Sequence, residues 1–206
     1  VFPEYSHLFE QESQREQDKA LLNTILQPGG RVITTRAVQE DKRETNAIVT
    51  IDSENNEQNR QGKTFLIPGG EYIPYLYKAI LIASANFEFI YNHEQGYTVY
   101  QSKKPIEPIV IGATKYGVLA CSGIIAPEFY RDLVNRGAEV LVNSASLSTM
   151  GIGNDFFDQA MQMARFQAVA NSRTLVQSAR GKVSYVMNQD GTMVLRTNGE
   201  GTQYML

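Results

Sequence analysis

The chain has 206 residues and a mass of 23.1 kDa, with 42% hydrophobic and 20% charged residues, which is enough for one core over residues 1–206 and excludes a disordered or low-complexity segment. Nineteen Lys and Arg against 22 Asp and Glu leave a net charge of -3 with no basic stripe to neutralise phosphates, so nucleic acid is not an expected partner. One cysteine forms no internal disulfide and two separated histidines build no Cys/His centre, so structural zinc is not expected.

Val1-Phe2-Pro3-Glu4 has neither the basic start nor the apolar run of a signal peptide, and with no initiator Met the chain reads as an excised piece. Residues 10–27 carry Leu21, Leu22, Ile25 and Leu26 at helical spacing and end at Pro28-Gly29-Gly30, a helix stop. Two runs rich in β-branched residues, 31–38 and 46–51, predict adjacent strands around a charged turn at 40–44. Residues 52–56 read as a turn, and 62–67 as a short extended piece that puts Lys63 on or beside a strand. From 71 to 101 the sequence is rich in tyrosine and shows neither period, which predicts a long loop with one helix at 75–83. The longest apolar run, Ala79-Ile80-Leu81-Ile82-Ala83, is well short of the ~20 residues of a spanning helix.

Residues 109–111 and 117–120 predict strands around a turn at 114–116, the second running into Cys121. Pro127 suits the first position of a helix whose apolar face is Phe129, Tyr130, Leu133 and Val134 and whose stop is Gly137. A strand at 139–143 and a Ser/Gly-rich loop at 144–153 lead to Asn154 or Asp155, either able to cap a helix to about 171. Strands at 173–178, 182–187 and 192–196 follow, the last two joined by Asn188-Gln189-Asp190-Gly191, a hairpin signal. Helices alternating with strands predict an α/β layered architecture with mixed sheets.

A single cysteine is by default a small buried hydrophobe. Cys121 differs because it ends an apolar strand, precedes the small pair Ser122-Gly123 and lies just ahead of a helix start, where backbone N–H groups favour a thiolate. A nucleophilic thiol also needs a base or a cation beside it, and His7 and His93, in polar and aromatic surroundings, fit a surface role equally well.

The segment Lys63-Thr64-Phe65-Leu66-Ile67-Pro68-Gly69-Gly70-Glu71-Tyr72-Ile73-Pro74, followed by Gly117-Val118-Leu119-Ala120-Cys121 with Pro127-Glu128 beyond, resembles the nitrilase (carbon-nitrogen hydrolase) superfamily. Residues 68–74 and Asn171-Ser172-Arg173-Thr174-Leu175-Val176 are most similar to bacterial apolipoprotein N-acyltransferases. The resemblance implies an α-β-β-α sandwich, here without the first strand and helix that precede the catalytic Glu. It implies a Glu, a Lys and a Cys in that chain order, which Glu4, Lys63 and Cys121 fill, and no cofactor. Glu4 is then the general base, Lys63 the cation for the oxyanion with the backbone N–H of Ser122 as second donor, and Cys121 the nucleophile that becomes a thioester. Glu71 is implied as a second carboxylate that positions the incoming amine or water. Tyr72 and Glu128 are implied at the substrate, Glu128 more as the acid that orients its own helix start.

Two positions depart from the acyltransferase pattern. Ser122 and Gly123 stand where an aromatic and an acid generally follow the nucleophile, and Ser146-Leu147-Ser148-Thr149-Met150-Gly151-Ile152-Gly153 stands where the pattern carries a Trp. Both fall around the acyl pocket. Three functions follow. One is acyl transfer from a phospholipid to the N-terminal amine of a lipoprotein, at the extracytoplasmic face of the bacterial inner membrane, with membrane association through segments outside this chain. Another is a soluble, cytoplasmic amidase. The third is a degenerate relative kept as a binding module. A dimer is expected by analogy only.

Overall fold

A computed structural model describes residues 1–40, 43–96, 102, 104–147 and 155–197. Helix α1, Arg15–Ile25, follows a short 3₁₀ turn and presents Leu22, Ile25 and Leu26 to one face of a three-stranded antiparallel sheet. That sheet is β1, Val32–Glu40, β2, Arg43–Ile51, and β3, Glu57–Gly62, in this order. The strands are longer than the β-branched runs, since Glu40 pairs with Arg43 and Gln39 with Glu44. The connection is therefore two residues rather than the five expected. Asp52 accepts the backbone N–H groups of Glu54 and Asn56, the Asx geometry that makes the next turn.

Lys63 lies just beyond the end of β3, so the expected extended piece at 62–67 begins as a strand five residues earlier. Its polar sequence, Glu-Gln-Asn-Arg-Gln, hid it: an edge strand needs a partner's backbone more than apolar side chains. The expected long loop is also corrected. Besides α2, Tyr75–Ala83, it holds a second helix, α3, Phe87–Gly96, packed on α2 through Tyr77 against Phe89. This hairpin buries Leu81 and Ile90 but leaves Tyr75 at 93% exposure and Leu76 at 77%. Residues 97–101 of the expected loop lie outside the described residues.

The second sheet has six strands in sequential order: β4, Ile109–Ile111, β5, Thr114–Ala120, β6, Val140–Ser146, β7, Thr174–Arg180, β8, Tyr185–Met187, and β9, Met193–Arg196. β5, β6 and β7 run parallel and the outer pairs antiparallel, a mixed sheet. The turn expected at 114–116 is part of β5 instead, and the chain reverses at Gly112, whose φ of +62° suits only glycine comfortably. Helices α4, Pro127–Asn135, and α5, Asp155–Asn171, are the crossovers that parallel strands require. Pro127 opens α4, and Gly137 follows its end at φ +97°, as the sequence predicts. Asn154 and most of the 144–153 loop lie outside the described residues, while Ser144 and Ser146 belong to β6.

Alternation along the strands sorts the core into layers. Val32, Ala47, Val49 and Ile51 face α1. Ile33 and Ile48 face Val118, Ala120 and Val142 of the other sheet. Leu119, Leu141 and Leu175 face Tyr130, Leu133, Ala164 and Ala168 of α4 and α5. The order is α-β-β-α, helix layers outside and two sheets face to face.

Candidate active site

Glu4 reaches the space between the sheets because the N-terminal segment is pinned to both. The Phe2 N–H donates to the Ile33 carbonyl, the Tyr5 N–H to Thr35 Oγ1, and the Ser144 and Ser178 hydroxyls to the Phe2 and Val1 carbonyls. The segment then turns sharply, with Tyr5, His7 and Phe9 all near φ +60°. Glu4 is 1% exposed, far from the solvated turn residue its sequence neighbourhood would suggest.

Lys63 is held by its backbone N–H to Asn46 O and by its carbonyl, which accepts from Ser102 N. Its Nζ lies 3.0 Å from Glu4 Oε1 and 2.5 Å from Glu71 Oε1, at 3% exposure. Burial alone would lower this ammonium, but the Glu4 and Glu71 carboxylates outweigh it and hold the group above its ordinary value. Glu71 is placed by its loop, where its Oε2 accepts the Ile67 N–H at 2.8 Å and the Ser122 hydroxyl at 2.9 Å.

Cys121 begins a 3₁₀ turn, Cys121–Ile125, straight after β5, with φ +40°. That conformation is costly for a side chain with a Cβ and persists because its surroundings over-determine it. Asn143 of β6 donates from Nδ2 to the Leu119 and Cys121 carbonyls at 3.3 and 3.2 Å, tying the turn to the sheet. Gly123 is required by packing, since a Cβ there would sit 2.6 Å from Leu119 Cβ.

The expectation of a thiolate is corrected. Burial, then the charge of Glu4, push the Cys121 thiol up to about 12, against the pull of Lys63 and a weak contact to Ser146 O at 3.9 Å. The helix start that was expected to lower it is α4, six residues away in sequence, and dipole effects fade within a turn. Burial and the two carboxylates thus favour the protonated thiol, which lies within electrostatic reach of Glu4, Lys63 and Glu71. A small cleft opens beside it, lined by Ile67, Ile124, Ala145, Leu147 and Ala160.

Tyr72 is half-buried and pairs by its backbone with Pro68 across the glycine turn, whereas Glu128 is exposed in the first turn of α4, where an acid suits the helix dipole. Among the described residues no hydrogen bond or ion pair joins either to the Lys63 cluster. His7 pairs with Glu10 at the surface, and the side chain of His93 lies outside the described residues. Sequence reasoning missed Tyr5, Asn46 and Asn143. Tyr5 bonds Asn46 and is raised by burial and by Glu4, and Asn46 Nδ2 lies 3.4 Å from Glu4 Oε1. Tyr5 was adjacent to Glu4, but nothing local marks Asn46 or Asn143. No group of three or more His, Cys, Asp or Glu among the described residues is placed to hold a metal ion.

The carbon-nitrogen hydrolase family model matches residues 1–204, and the chain belongs to this family. It is 27% identical over 210 aligned positions to an apolipoprotein N-acyltransferase of Bdellovibrio bacteriovorus, covering 96% of this chain and 36% of that protein. It is 26% identical over 132 residues to one of Geobacter metallireducens, covering 64% of this chain and 24% of that protein. The chain thus spans about a third or less of these relatives' length. Among solved structures, a carbon-nitrogen hydrolase from Helicobacter pylori aligns with a TM-score of 0.64 at 17% identity over 94% of this chain and 67% of that one. Nit3 of Saccharomyces cerevisiae, a nitrilase superfamily member, aligns at 0.62 and 16% over 95% and 64%, so the fold is that of the nitrilases.

Proposed function

We propose that the chain is an acyl-transfer module that carries an acyl group as a thioester on Cys121 and passes it to an amine. The observation that carries this is Lys63, buried between Glu4 and Glu71, with the Cys121 thiol on a strained turn within their electrostatic reach. As the Cys121 sulfur bonds to the carbonyl carbon, Glu4 takes the thiol proton and Lys63 faces the charge that develops on oxygen. The backbone N–H of Ser122, at the start of the 3₁₀ turn, is the second donor. Collapse expels the leaving group with the proton from Glu4. An amine then attacks the thioester, oriented by Glu71, and the C–S bond breaks.

The donor class we favour is a phospholipid and the acceptor a lipoprotein N-terminal amine, at the extracytoplasmic face of the bacterial inner membrane. Likeness to the two N-acyltransferases supports this, as does the α2–α3 hairpin, whose exposed Tyr75, Leu76, Tyr77, Ile80, Phe87 and Tyr91 suit a lipid interface. No helix among the described residues is long and apolar enough to cross a membrane. The small cleft and the fold shared with an amidase from Nesterenkonia favour a second reading, a small-amide hydrolase of the cytoplasm in which water deacylates the thioester.

Intact mass after incubation with phospholipid vesicles, compared with Cys121→Ala, tests the reading. A fatty-acyl increase present only in the unaltered chain is expected. No adduct with turnover of small amides selects the hydrolase. No adduct and no turnover in folded protein leaves a binding module.

A further inference from the structure

We propose that the Ser122 hydroxyl is a reversible cap on Glu71 that favours an amine over water as acceptor of the acyl group. The inference rests on the acyl-transfer reading and concerns its second half. Ser122 is buried, at 4% exposure, and its Oγ lies 2.9 Å from both Glu71 Oε2 and the Phe65 carbonyl. A hydroxyl has one proton to donate, so the two acceptors compete for it. Turning the O–H bond between them requires no movement of a heavy atom.

The consequence lies in the lone pairs of Glu71. Its Oε1 is tied to the buried Lys63 ammonium, so the cap concerns Oε2, which already accepts the Ile67 N–H. With the Ser122 proton on it as well, Oε2 has both lone pairs occupied and nothing to offer an incoming group. With that proton turned to Phe65 O, one lone pair is freed and no buried donor is orphaned. Glu71, at 18% side-chain exposure, is accessible to the group that arrives.

An amine acceptor brings binding energy from the rest of its molecule, which can drive the turn, whereas water has no remote contacts to spend. The amine nitrogen then bonds to the thioester carbon and the C–S bond breaks. One amine proton passes through Glu4 to the departing sulfur, while a second N–H is held by Glu71. Ser122 is thus a positioning residue acting through Glu71. Without its hydroxyl, water would fill the freed lone pair beside the thioester.

The test acylates the unaltered chain, Ser122→Ala and Ser122→Thr with the p-nitrophenyl ester of octanoic acid in the presence of alaninamide, an amine with no thiol to exchange. The p-nitrophenol burst reports acylation, and the ratio of N-octanoyl product to free octanoate reports the acceptor. Ser122→Ala is expected to lower that ratio about tenfold, the worth of one hydrogen bond, beyond any change in its burst rate, with a raised KM for the amine. Ser122→Thr, which keeps the hydroxyl, is expected to restore the ratio to within about twofold. An equal ratio in all three proteins, or a drop shared by Ala and Thr, overturns the cap while leaving acyl transfer standing. A burst absent from the unaltered chain overturns acyl transfer and the cap together.

Discussion

Cys121 is subject to opposing demands. Burial and the carboxylates of Glu4 and Glu71 favour the neutral thiol, while Lys63 favours the thiolate. Glu4→Gln therefore acts in two directions. It removes the base, and acylation should fall by at least about 100-fold. It also removes a charge that raises the thiol, so the midpoint of iodoacetamide alkylation against pH should move down. A midpoint that stays or rises would show that Glu4 does not act on the sulfur through space.

The same shift has a stability consequence. The thiol is raised from 9.0 unfolded to about 12 folded, so the folded state holds its proton longer. Stability from this group is present below about pH 9 and lost as pH climbs toward 12. Urea midpoints should fall over that window, and Cys121→Ala should blunt the early part of the fall. Lys63, also raised, contributes a later loss above its ordinary 10.5. A profile identical in Cys121→Ala would contradict the assignment.

Among the elements, the strand-to-turn junction after β5 is where packing is tightest. Gly123→Ala would place a Cβ 2.6 Å from Leu119 Cβ, an atom too close to the backbone to swing away. The expected cost is about 1–3 kcal/mol, read as a lower urea midpoint at constant slope. Asn143→Leu removes both hydrogen bonds that fasten the turn, and should cost about 1–3 kcal/mol together with a slower burst. A normal burst in a destabilised Asn143→Leu would make Asn143 a fold residue only. What was legible at this scale followed local chemistry: Pro127 and Gly137 bounding α4, the hairpin at 188–191, the apolar runs of β5 and β6. β3 was not legible, because a polar edge strand carries no hydrophobic signal. Nor was α3, whose apolar residues Phe87, Phe89, Ile90 and Tyr91 follow no clean helical stripe.

For the whole molecule, two sheets meet through Ile33, Ile48, Val118 and Val142, and the site is formed by the segments next to them, the N-terminal stretch with Glu4, the residues after β3 with Lys63 and the turn after β5 with Cys121. The α2–α3 hairpin lies outside that sandwich core and keeps its largest apolar residues in solvent. If it meets lipid, changing Tyr75, Leu76 and Ile80 together to Ser should weaken co-sedimentation with phosphatidylethanolamine and phosphatidylglycerol vesicles by at least about tenfold. The urea midpoint should hardly change, since exposed substitutions rarely exceed about 0.5 kcal/mol. Unchanged co-sedimentation would detach the hairpin from the lipid reading.

The resemblance to the nitrilase superfamily implied the α-β-β-α order and the succession Glu4, Lys63, Cys121, while from the residues alone came the α/β layered class with mixed sheets, because periodicity, caps and local motifs are written in neighbouring positions. The motifs around Lys63 and Cys121 were legible for the same reason. Tertiary structure decided what those residues are to one another. It buried Glu4 between two sheets, set Lys63 between two carboxylates, raised a thiol expected to be lowered, and brought Ser122 to Glu71 and Asn143 to the Cys121 turn. Electrostatic shifts and hydrogen-bond partners depend on burial and on distances across the sheets, and no local pattern of residues encodes either.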